Sequence, residues 1–132
     1  MKTLMPLLSL DEWTRIMQTL EEDITRWSQE QGWQVNLREA GFMQDYPREF
    51  IPRTLTITTP KGRLMLETPD HESDGRGRAK LYAWPTLYRV WLRHSEPHNT
   101  WEIWTDSGIP IRLAWEAKTF ITLANDLLDA DE

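Results

Sequence analysis

The chain has 132 residues, no cysteine and a formal net charge of −6. That length suits one domain able to bury a core of its own, and the lack of cysteine removes disulfides, thiol catalysis and thiolate metal sites. With 39% hydrophobic and 27% charged residues the composition is that of a folded protein rather than a disordered one.

No apolar run approaches the about 20 residues of a membrane-spanning helix. The N-terminal apolar stretch is interrupted by Pro6 and closed by Asp11 and Glu12, which does not fit a secretory signal. The expectation is a cytoplasmic protein with one domain over residues 1–132, a flexible N-terminus over 1–8 and an acidic tail over 129–132. A net-acidic chain is not drawn as a whole toward nucleic acid.

Ser9-Leu10-Asp11-Glu12 has the form of a capping box. Leu10, Trp13, Ile16, Met17, Leu20, Ile24 and Trp27 then recur at helical spacing, which predicts an amphipathic helix over about 10–31. Gly32 stands where a left-handed cap residue is wanted. From Trp33 the period becomes two, with Val35 and Leu37 alternating with Gln34, Asn36 and Arg38, as in a half-buried strand. Residues 40–52 show no period and read as a loop carrying Phe42, Tyr46 and Phe50.

Residues 53–59 and 63–68 read as a hairpin around Pro60-Lys61-Gly62, with Leu55 and Ile57 facing Leu64 and Leu66. Residues 78–84 and 86–94 flank Pro85, which predicts a bend, an edge or two separate strands. Residues 101–105 return, Asp106-Ser107-Gly108 makes a turn, and Pro110 suggests an edge strand beyond it. Phe120, Leu123, Ala124, Leu127 and Leu128 line a second helix over 114–128. The short links predict an α+β fold: a mostly antiparallel sheet of six to seven strands, with the N- and C-terminal helices packed on one face.

The motifs that carry chemistry elsewhere are weak here. Asp70-His71-Glu72-Ser73-Asp74-Gly75 begins like a calcium loop, but its twelfth position is Leu81, which cannot close the oxygen shell. Asp70 with Glu116-Ala117-Lys118 is similar to the PD-(D/E)xK motif of metal-dependent nucleases. The second half, however, falls at the start of a predicted helix. His94 and His98 flank a turn, where a four-residue spacing does not guarantee a shared face. No metal and no cofactor are expected.

The most informative stretch is residues 76–93, which hold Arg76, Arg78, Lys80, Arg89 and Arg93 and no acid, interleaved with Tyr82, Trp84, Tyr88 and Trp91. If His94 and Asn99 flank a four-residue loop, Leu92 faces Trp101 and Val90 faces Ile103. The other side of the sheet then shows Arg89, Trp91 and Arg93 beside Trp104 and Glu102. The residues expected to bind a partner are therefore Trp91, Trp104, Arg89, Arg93, Tyr82 and Trp84. The leading expectation is a non-catalytic accessory protein that binds a protein partner or a second copy of itself through this face. The alternatives are single-stranded nucleic-acid binding through 76–93 and a metal-dependent hydrolase using Asp70, Glu116 and Lys118. Ordinary cross-strand pairing, or a small second core beneath residues 40–52, would explain the same residues without any partner.

Overall fold

A computed structural model describes residues 10–39, 53–67, 78–95 and 100–129, with Leu10, Asp11, Trp13 and Glu39 described by their backbone alone. The expected capping residue Ser9, the acidic loop over 70–75 and residues 40–52 lie outside the described residues. The order is α1 (Leu10–Glu30), β1 (Gln34–Glu39), β2 (Arg53–Thr59), β3 (Gly62–Glu67), β4 (Arg78–Trp84), β5 (Arg89–Ser95), β6 (Thr100–Thr105), β7 (Pro110–Ile111) and α2 (Ala117–Asp129). The strands form one seven-stranded antiparallel sheet in sequential order, with each strand paired to its neighbours in sequence.

Helix α1 buries Met17, Leu20 and Ile24 at helical spacing, as the sequence pattern predicts. It ends in a Schellman motif. Gly32 adopts φ +80, its amide donates to the Gln29 carbonyl, and the Trp33 amide donates to the Ser28 carbonyl. The chain then turns directly into β1.

The β2–β3 connection is a tight hairpin with Thr59 opposite Gly62. The Thr59 hydroxyl accepts from the amides of Lys61 (3.1 Å) and Gly62 (3.2 Å), which holds the turn. Leu55 pairs with Leu66 and Ile57 with Leu64, as the alternation requires. Pro85 falls between two separate strands, β4 and β5. The Trp84–Pro85 peptide is cis, and Leu87 takes φ 70 in the connection. Pro110 lies on β7, the edge strand.

One hydrophobic cluster joins both helices to alternate strand residues. Met17, Leu20 and Ile24 of α1 and Phe120, Leu123, Ala124 and Leu127 of α2 share it with Leu55, Ile57, Leu64, Leu66, Leu81, Leu92 and Ile103. Trp27, Trp115 and Phe120 form a three-ring cluster, with centroids 5.5, 5.9 and 6.1 Å apart. The second helix starts at Ala117 rather than at 114. Residues 112–115 run without regular structure, and the Phe120 amide closes the first turn on the Glu116 carbonyl at 2.9 Å. An ion pair from Arg53 to Glu21 joins the start of β2 to α1 beside the core.

Candidate functional site

The strand pairings place alternate residues on the sheet face opposite the core. Across β4, β5 and β6, Tyr82 stands beside Arg89, Lys80 beside Trp91, Trp91 beside Trp104, and Arg93 between Arg78 and Glu102. Five of the six expected partner-binding residues, Tyr82, Arg89, Trp91, Arg93 and Trp104, thus form one contiguous group. Trp84 lies on the same face at the end of β4, opposite Arg63, with 49% of its surface exposed.

The predicted pairing of β5 with β6 is corrected by two residues. Leu92 lies opposite Ile103 rather than Trp101, and His94 takes the place opposite Trp101. A two-residue shift keeps every side chain on its face, so the face was assigned correctly while the neighbours were not. The consequence is local but informative: the two tryptophans Trp91 and Trp104 stand directly across from each other.

The cations on this face are engaged by their neighbours. The Arg78 guanidinium lies 4.9 Å from the Trp91 ring centroid and that of Arg93 lies 4.9 Å from the Trp104 centroid. Contacts of this kind contribute about 0.5–1 kcal/mol each near a surface. Lys80 sits 5.0 Å over the Tyr82 ring and 3.4 Å from a Glu67 carboxylate oxygen. Arg89 donates twice to Asp106, at 2.8 and 3.0 Å, and the Trp91 indole N–H donates to the same carboxylate at 3.0 Å. The two Arg89 bonds, followed by the indole bond, hold the Asp106 carboxyl below the ordinary range. Burial and, after it, the hydrogen bond to Glu67 push the Tyr82 phenol upward, so that it stays protonated as a donor.

Sequence reasoning treated Asp106 as a turn residue and left Glu67 out of the site. Both complete it. Asp106 follows β6 directly and meets Arg89 and Trp91 on the neighbouring strand; only the correct register reveals that. The connection between β4 and β5 adds an apolar rim, with Leu87 50% and Tyr88 40% exposed.

The other motifs do not gather. Glu116 and Lys118 are exposed at the start of α2, while Asp70 and His98 lie outside the described residues. His94 packs edge-on against Trp101, with ring centroids 5.3 Å apart. Among the described residues no group of three or more His, Cys, Asp or Glu side chains is placed to hold a metal ion. Nor is any described helix long and apolar enough to cross a membrane. In comparisons with known proteins, no family matches the chain and no characterised sequence or solved structure is significantly similar to it.

Proposed function

We propose that this chain is a non-catalytic binding protein that docks a protein partner through the Trp/Arg face of β4–β6. The observation that carries the reading is the pair Trp91 and Trp104, directly opposite each other, each under a guanidinium, with the Trp91 indole fixed by Asp106. Tryptophan and arginine are the residue types that most often dominate interface energies. Holding them in place before binding lowers the entropy lost on association. The exposed Trp84, Leu87 and Tyr88 extend the surface at one end.

Nucleic-acid binding is less well supported by the same face. Glu67, Glu102 and Asp106 sit among its cations, and Arg89 is already committed to a carboxylate. A phosphate backbone would meet repulsion there and would compete for the same guanidinium groups.

The test is affinity capture from lysate of the source cells, with nuclease and without, using the wild-type chain, Trp91→Ala and Trp104→Ala. The expected result is a stoichiometric protein partner that survives nuclease and binds either variant about thirtyfold more weakly. A second copy of the chain would instead appear as a dimer in sedimentation that dissociates in both variants. Capture that is indifferent to both substitutions refutes the reading, and capture abolished by nuclease transfers it to nucleic acid.

A further inference from the structure

The same sheet face carries a second, chemically different surface on β1–β3. A groove of about 890 Å³ lies there, with a floor that includes Asn36, Arg38, Thr54, Thr56, Thr58 and Arg63 and apolar lining from Trp33, Val35 and Met65. The strand pairings set these residues in rows: Arg38 beside Thr54, Asn36 beside Thr56 and then Met65, and Thr58 beside Arg63. The two arginines thus stand at diagonally opposite corners. They are two strands and four residues apart, which is about 16 Å between their Cα atoms.

What distinguishes this surface from the Trp/Arg face is its unmet polar capacity. On β4–β6 nearly every cation is stacked or paired. In the groove, none of the six polar side chains named above makes a hydrogen bond or ion pair with another residue among those described. Glu67 at the margin, the carboxylate lining the groove, is already taken by Tyr82 and Lys80. Arg38 and Arg63 are exposed, so water satisfies them in the free protein at little cost. Among the described residues they have no contact that an incoming anion would first have to break.

We infer that this groove binds a small anionic molecule bearing hydroxyl or amide groups, with its oxyanion on Arg38 or Arg63 and its neutral polar groups on the threonine floor. The charge follows from two arginines with no committed counter-charge among the described residues; arginine suits carboxylate and phosphate alike through paired N–H donors. The hydroxyls and amides follow from the floor, since Thr and Asn side chains both donate and accept. An apolar occupant would leave those groups unsatisfied. The size follows from the volume, which is that of a small-molecule site.

The test is a ¹⁵N NMR titration of the full chain with citrate, glucose 6-phosphate and glucose, reading the amides of β1–β3. The expected result is saturable shifts confined to Asn36, Thr56, Thr58, Arg63 and their neighbours with at least one of the two anions. Citrate alone would point to a carboxylate ligand, and the sugar phosphate alone to a phosphate. Arg38→Gln or Arg63→Gln should weaken that binding at least about tenfold, whereas Trp104→Ala should leave it unchanged. Both arginines are exposed, so the variants should fold, and an otherwise unaltered spectrum checks this. The inference is overturned if neither anion gives saturable shifts, if glucose binds as well as its phosphate, or if both arginine variants retain full affinity.

Discussion

The Arg53–Glu21 ion pair gives the sharpest test of how the helical layer is fastened to the sheet. Arg53 Nε donates to one Glu21 oxygen at 3.2 Å and its Nη2 donates to the other, a two-pronged contact. The side chains are only 18% and 8% exposed. Replacing one member of a buried pair strands the other charge, at a cost of about 3–5 kcal/mol. Both residues have a further partner, so the lower end applies, about 3 kcal/mol for Arg53→Met. An unfolding entropy of about 2.1 cal/mol/K per residue over the chain converts this to a Tm lower by roughly 10 °C. Glu21→Leu should cost a similar amount. The double variant should recover most of the loss, because two apolar side chains then fill the same space without a stranded charge. Calorimetry and urea unfolding on the four proteins close the cycle. Single variants that each cost less than about 1 kcal/mol, with additive effects in the double variant, would refute the reasoning.

Three further predictions concern the site, the core and the end of α1. Because Asp106 is held below the ordinary range by Arg89 and Trp91, its contribution to stability is complete above the unfolded carboxyl value and is lost as pH falls through the folded one. The Trp91 indole ¹H shift should therefore titrate below pH of about 4, and Arg89→Gln should move that midpoint upward; an unmoved midpoint breaks the link. Phe120 is fully buried and packs against both Trp27 and Trp115, so Phe120→Ala should cost about 3–5 kcal/mol in urea unfolding. Gly32→Ala adds a side chain that meets nothing within 4 Å, yet at φ +80 it should still cost about 1 kcal/mol; an unchanged urea midpoint would show that the helix end tolerates another cap.

The sequence was a good guide wherever a face was at stake. Alternation in β2 and β3, the helical stripe of α1 and the glycine after it all follow from local geometry. Register between β5 and β6 did not, since pairing Leu92 with Trp101 or with Ile103 buries the same residues and leaves the same ones outside. That ambiguity hid the role of Asp106. The start of α2 lies three residues later than the pattern predicts: residues 112–115 run without regular structure, and Trp115 packs against the core from that segment. The polar groove was invisible in sequence, because threonines on a strand read as an ordinary solvated face until neighbouring strands set them in rows.

The sequential order of the strands bears on how this chain comes to be folded during synthesis. Each strand finds its partner in the segment made just before it, so the sheet can grow by short-range steps with little loop-closure entropy. The aromatic plug does not follow that order. Phe120 enters a slot walled by Trp27, some ninety positions earlier, and α2 rests on β3 and β4. A nascent chain therefore holds a nearly complete sheet with part of its apolar surface uncovered until residues 117–129 have left the ribosome. It is during that interval, rather than in the finished protein, that this sequence is most exposed to aggregation.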